Sequence, residues 1–426
     1  RNRYVGYLIA LASNSYKKLR IGLDCANGAS WMIAKSIFDA LGAQTTIIGD
    51  KPDGLNVNNG CGSTHMEKLC QLVKENHLDI GFAFDGDCDR CIAVDENGNI
   101  SPETPLIWDF DSVTSATAYP VDTETLTVKG GRFTTVANNA PSEYNYYARG
   151  IVVRRSNTVI DGLYHNISNE GKTGSPYSAF VSLSYCADVT VKNCTFTGHK
   201  KYSTVGSAGT SVAMGTYDIG AAMAVNAKFI NCNQTNDITD IDYWGIAGTN
   251  YCKNLVYDGC ALSRFDAHQG VLNATVKHSV LGHHGIKLIG SGTALIENTT
   301  VLAEDFVALR SDYGSTWNGD LVIRNCRFYP TILSTHIINA ENSEDHDFGY
   351  TCYLPQRVEI DGFYVHRIGI NYLFTQVNPK HNSDSYKAEY PVVPPKEITV
   401  KNFSNLLFGK LYVSKNKAIF KVEIFQ

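Results

Sequence analysis

Two different rhythms of apolar residues divide the chain near residue 100. Up to that point, short apolar runs alternate with segments of helical spacing. Residues 20–24 predict a strand, residues 29–41 a helix stopped by Gly42, and the β-branched run 45–48 a second strand. Residues 64–77 predict another helix, with Thr64 as its N-cap and Glu67 completing a capping box. Residues 80–84 (Ile-Gly-Phe-Ala-Phe) are a third apolar strand. This βαβαβ order implies a partial α/β domain, a parallel sheet covered by helices. Ligands of such sheets sit beyond the carboxyl ends of the strands.

From about residue 101 the rhythm changes to short strands and turns. A turn residue recurs at Gly162, Asn193, Asn231, Gly259, His278, Asn298, Asn325, Gly362 and Asn402. Two places earlier stand Ile160, Val191, Phe229, Tyr257, Val276, Ile296, Ile323, Ile360 and Val400. One place later stand Leu163, Cys194, Cys232, Cys260, Ser279, Thr299, Cys326, Phe363 and Phe403. Gly and Asn tolerate the left-handed backbone of a sharp corner. The spacing is tightest, 19 and 20 residues, around His278, and longer elsewhere. That fits an all-β solenoid whose loops bulge from chosen corners. The four cysteines of the last column read as small buried hydrophobes. Cys88 and Cys91 form a CxxC without the further ligands that zinc needs.

Residues 120–410 resemble the right-handed parallel β-helix proteins of the pectate-lyase-like superfamily, here with about nine coils. The expected organisation is an α/β segment over 1–100, a β-rich entry region over 101–150, the β-helix over 151–410 and a C-terminal cap over 411–426.

Chemistry concentrates in two places. Directly after the third strand stands Asp85-Gly86-Asp87-Cys88-Asp89-Arg90. Asp85, Asp87 and Asp89 offer three hard oxygen ligands for Mg²⁺, and Arg90 a planar fork for phosphate. A solvated acidic turn accounts for the same residues equally well. The surrounding motifs are Asp24-Cys-Ala-Asn-Gly-Ala-Ser30, Pro52-Asp-Gly-Leu-Asn56, Cys61-Gly-Ser-Thr-His65 and Ala93-Val-Asp95. With them, residues 1–100 resemble the second domain of the α-D-phosphohexomutases, most closely the phosphoglucosamine mutases. The resemblance implies Mg²⁺ on Asp85, Asp87 and Asp89 and phosphate beside Arg90. It also implies exchange of glucosamine 6-phosphate and glucosamine 1-phosphate through a phosphoserine. That family's phosphoserine, sugar-binding and terminal phosphate-binding domains have no counterpart here. Weak Mg²⁺ binding and little or no mutase activity are therefore expected of this polypeptide alone. A junction of two reading frames at residues 100–101 is the expected origin of the pairing.

The second place is on the solenoid. Asp266, His283, His284, Asp305 and Arg310 fall on successive coils. Aligning Gly270 with Gly285 sets His268 beside His283, and Ile286 falls next to Val307. The five are expected to converge in one groove and act on a polysaccharide or oligosaccharide, an acidic glycan above all. Hydrolysis needs two carboxyls flanking the bond; elimination needs a base and a cation facing a uronate. One carboxyl is expected to stay protonated as an acid, while Arg310 keeps its neighbour ionised. On this reading Asp266→Asn leaves the melting temperature nearly unchanged. Residues 282–291 distantly resemble the Gly-His-Gly…Ile-Gly-Ser signature of polygalacturonase-type hydrolases, with one residue too many. A non-catalytic carbohydrate-binding or adhesion solenoid is the alternative.

Composition narrows the classes. The 426 residues are 43% hydrophobic and 19% charged, with a formal net charge of −5. The charge argues against a general nucleic-acid partner. No apolar run approaches the ~20 residues of a membrane span, and the run 4–12 is short and lacks a cleavage site before Lys17. The mutase-like segment implies the cytoplasm and the β-helix a secreted or surface protein, so the two halves point to different compartments. The 24 tyrosines and 18 phenylalanines favour sugar stacking.

Overall fold

The computed structural model describes residues 2–12, 15–88, 91–98, 121–140, 146–171, 173–205, 211–245, 247–311, 314–332, 336–341, 350–375, 392–407, 410–415 and 424–425. The chain forms two compact units, Arg1–Ala118 and Tyr119–Gln426.

The first unit contains α1 (Asn2–Leu11), β1 (Arg20–Asp24), α2 (Ala34–Ala40), β2 (Gln44–Ile48), α3 (Glu67–Glu75), β3 (Ile80–Phe84) and β4 (Cys91–Asp95). The sheet order is β2-β1-β3-β4. The first three strands are parallel, as the alternation implies. β4 runs antiparallel to β3 and adds a strand to the expected three. Leu69 and Val73, four apart on α3, sink into the sheet. They rest on Gly22 and Gly81, where a Cβ on Gly81 would lie 2.7 Å from a Val73 methyl. Two helix details depart from expectation. Met66 is the N-cap of α3 and makes no side-chain cap bond, so Thr64 and Glu67 form no capping box. The segment 29–41 breaks at Ile33 into a 3₁₀ turn, Ala29–Met32, and α2.

The second unit is a stack of parallel strands. The apolar column pairs rung by rung, from Ile160 opposite Val191 through to Ile360 opposite Val400. All nine side chains are at most 2% exposed. At about 25 cal/mol per Å² of apolar surface removed from water, this column contributes to a continuous core that also holds Phe196, Phe265, Phe306 and Trp317. The nine turn residues have φ between 47° and 75°. The column after the turn has a chemical cause as well. Cys194 Sγ, Cys326 Sγ, Ser279 Oγ and Thr299 Oγ1 each donate to the carbonyl two residues back, across the corner. Thiol and hydroxyl are interchangeable there, and the cysteines are free and buried. The ladder starts with Leu126–Lys129, where Val128 faces Ile160, and ends with Ile424–Phe425 against Ile398 and Thr399. Strands thus continue into both stretches read as entry region and cap. Among the described residues, no helix is long and apolar enough to cross a membrane.

Candidate functional site

In the first unit, the quoted motifs meet around one loop. Asp24 is fully buried at the end of β1, and its carboxylate accepts the N–H of Ala26 (3.0 Å) and of Gly62 (2.8 Å). Ala29 N–H donates to Gly86 O at 2.8 Å and Ser63 N–H to Phe84 O at 2.9 Å. The loop 85–88 therefore sits at the carboxyl edge of the sheet. Asp85 is buried and Asp87 exposed; Asp89 and Arg90 lie outside the described residues. Two carboxylates two residues apart beyond a strand are donors that suit Mg²⁺. Among the described residues, no three His, Cys, Asp or Glu side chains are grouped for a metal.

In the second unit, a groove of about 1210 Å³ runs over strands Ala261–Asp266, Val280–Leu288 and Val307–Leu309. His283, His284, Asp305 and Arg310 line it, together with Arg264, Tyr217, Trp244, Glu304 and Glu341. The structure thus gathers the five residues singled out on the solenoid, with Asp266 beneath the surface. Ile286 faces Val307, as aligned.

The alignment of Gly270 with Gly285 is wrong, and so is the pairing of His268 with His283. Gly285 faces Arg264, and Lys287 faces Asp266. Leu262 faces Leu281, so Gly282, His283 and His284 together oppose Ser263 alone. Such a bulge disrupts the ladder locally and re-aims side chains, and pairing resumes on either side.

Asp266 is the centre of the arrangement. Its carboxylate accepts from Arg264 Nη2 (2.5 Å), Arg310 Nη1 (3.1 Å) and Tyr217 Oη (2.9 Å). Burial alone would favour the protonated form. The Arg264 and Arg310 charges, with Lys287 and His268 beyond them, outweigh it and hold the carboxyl below the usual range. Asp266 is therefore an ionised anchor and not a protonated acid. Arg264 is itself 2% exposed. Its guanidinium lies 5.2 Å from the Tyr217 ring and 5.5 Å from the Trp244 ring and donates to Trp244 O.

His283 is committed elsewhere. Its Nδ1 and Nε2 each lie 3.1 Å from a backbone carbonyl, those of Ile238 and Tyr243. It straps the segment that carries Trp244. His284 stacks edge-on to Trp244 at 6.1 Å. Burial first, and then the Arg264 charge, drive its imidazole far toward the neutral form. Asp305 receives His336 Nε2 at 2.7 Å and Asn339 Nδ2 at 3.1 Å, which fix its orientation.

Arg264, Trp244, Tyr217 and His336 escaped the sequence reading. A signal for Arg264 existed: Arg264 and Asp266 are two apart on one strand and so share a face. A second buried set was also missed. Asp218 accepts from His165 Nδ1 (2.6 Å), Arg149 Nη2 (2.9 Å) and Thr197 N–H (2.9 Å), with His199 Nε2 at 3.3 Å.

Comparison with known proteins divides the chain in the same way. Residues 2–98 match the phosphoglucomutase/phosphomannomutase alpha/beta/alpha domain II model. Over 100 residues the chain is 59% identical to a phosphoglucosamine mutase of Lachnospira eligens, covering 24% of this chain and 22% of that protein. Over 108 residues it is 57% identical to the phosphoglucosamine mutase of Lachnoclostridium phytofermentans, covering 25% and 24%. The chain thus spans about a quarter or less of the length of the curated relatives it matches. Among solved structures, the catalytic domain of a GH87 alpha-1,3-glucanase in complex with nigerose aligns over 74% of this chain and 70% of its own. The TM-score is 0.29 and the identity 12%. The first unit is similar to phosphohexomutase domain II; the β-helix lies beyond that match.

Proposed function

We propose that the β-helix unit is a carbohydrate-active module that binds an acidic polysaccharide along the groove and cleaves it. The observation that carries this reading is the buried Arg264–Asp266–Arg310 set beneath Tyr217 and Trp244, in a groove also lined by Glu304, Asp305 and Glu341. Arg310 and Lys287 provide positive charge for an acidic sugar, and the aromatic rings provide faces for its apolar side. Asp266 serves by holding both arginines in place. Proton transfer falls to carboxyls that reach the groove. Asp305, oriented by His336 and Asn339, supplies one; Glu304 or Glu341 supplies the second.

The test is reducing-end release from pectins, alginates and neutral glycans, with absorbance of unsaturated products read in parallel. Asp305→Asn is expected to lower turnover about a hundredfold with an unchanged melting temperature. Unsaturated product identifies elimination in place of hydrolysis. Binding on a glycan array without any product favours the non-catalytic solenoid. The commitment of His283 and Asp266 to structural contacts favours that alternative.

For the first unit we infer weak Mg²⁺ binding by Asp85, Asp87 and Asp89, with Arg90 toward a phosphate. Bound there, Mg²⁺ would polarise phosphoryl oxygens. The match to the phosphohexomutases covers residues 2–98, so this reading assigns Mg²⁺ and phosphate binding to the unit and no mutase turnover. Calorimetry of the full chain should give Mg²⁺ heats that disappear in Asp87→Asn; identical isotherms rule the site out.

A further inference from the structure

Four polar atoms in or behind the groove wall are sealed from solvent and have no hydrogen-bond partner among the described residues: Trp244 Nε1, Ser263 Oγ, Arg264 Nε and His284 Nε2. They lie together. A Cβ on Gly245 would stand 2.4 Å from Arg264 Cδ and 3.3 Å from Ser263 Oγ, and Gly245 has φ 126°. The Arg264 guanidinium is 5.5 Å from the Trp244 ring, and the Trp244 and His284 rings are 6.1 Å apart. Ser263 is fully buried and Arg264 2% exposed. A buried donor left without a partner loses its hydration with nothing in return, so four at one place call for an occupant.

The donors define its chemistry. The indole N–H and the guanidinium N–H only donate, and the serine hydroxyl can donate. His284 adds a fourth donor in its Nε2–H tautomer. Asp266, the carboxylate nearest by, already accepts from Arg264 Nη2, Arg310 and Tyr217. Lys201 and Lys287 join the two arginines on the groove wall. Donors without acceptors, in a setting rich in cations, fit a negative charge better than a water, which must also donate.

We propose that Trp244 Nε1, Ser263 Oγ, Arg264 Nε and His284 Nε2 form a binding site for a single monovalent anion. Two sources share that chemistry: a free inorganic anion, or the carboxylate of a sugar acid. Trp244, Arg264 and His284 also line the groove, so a turn of the Trp244 side chain would open the same donors to a sugar acid. The second source rests on the proposed glycan function; the first does not.

The test uses the full chain with bromide as probe. Crystals grown in bromide should show an anomalous peak behind Trp244. Trp244→Phe keeps an aromatic ring, smaller than the indole, and loses the N–H; Ser263→Ala loses only the hydroxyl. Each is expected to weaken bromide binding about tenfold, with folding checked by an unchanged melting curve. Galacturonate that displaces bromide identifies the sugar acid as the occupant. Bromide that binds without such competition identifies an inorganic anion. The bromide result stands apart from the glycan reading, which fails alone if no polysaccharide binds while bromide does. An ordered water without anomalous signal, or bromide affinity unchanged in both variants, overturns the anion site.

Discussion

Asp266→Asn is expected to destabilise the β-helix unit by on the order of 3–5 kcal/mol, because it leaves two guanidinium groups facing a neutral amide. The carboxylate is wholly buried and holds Arg264 at 2.5 Å and Arg310 at 3.1 Å. A catalytic acid in an open groove would tolerate the same change with little loss, which is what the sequence alone implied. Urea unfolding separates the two cases. The cost resides in the uncompensated charge, so adding Arg264→Met to Asp266→Asn should recover part of the loss. If the single variant unfolds at the wild-type midpoint, the anchoring role is wrong.

Asp218→Asn is expected to cost a similar 3–5 kcal/mol, again on the order of a broken buried ion pair. Asp218 meets Arg149, His165 and His199 with no exposed surface. Burial opposes its charge, but hydrogen bonds from the two histidines prevail and hold its carboxyl far below the usual range. A depressed native value contributes stability that is fully present above the unfolded aspartate value, near ~3.9, and fades as pH falls below it. The gap between wild type and Asp218→Asn should therefore be widest near neutrality and narrow below about pH 4. A gap that stays constant between pH 7 and pH 3 contradicts this account.

The core of the solenoid was legible because two constraints repeat with the coil. An inward apolar residue and a left-handed corner recur at fixed offset, and Ile160, Val191 and Phe229 stack as that offset requires. A second corner was equally readable and went unread. Asn157, Asp188, Asn226, Asn254 and Asn273 stand three places before the apolar column, with φ from 49° to 62°. Their side chains bond rung to rung at 2.9 Å from Asp188 to Asn273. The groove was harder. The bulge at residues 282–284 breaks the period on which any alignment of coils depends, so the register of His283 was lost. The Asp218 set joins residues 19 to 69 places apart, and such distances leave no local pattern. The capping box failed because Met66, already helical at φ −77°, displaced Thr64 from the start of α3.

The bulge opposite Ser263 confines what a change of chain length can reach. The ladder fixes which residues face each other within strands, while the residues between the paired positions answer to the groove. Three residues already occupy the space of one there, while Leu262–Leu281 and Arg264–Gly285 keep their pairing on either side. Insertions and deletions at that point change the contents of the groove and leave the stacked core intact. A change of length at this one position therefore acts on the groove and on the 238–244 segment that His283 straps, and not on the paired strands.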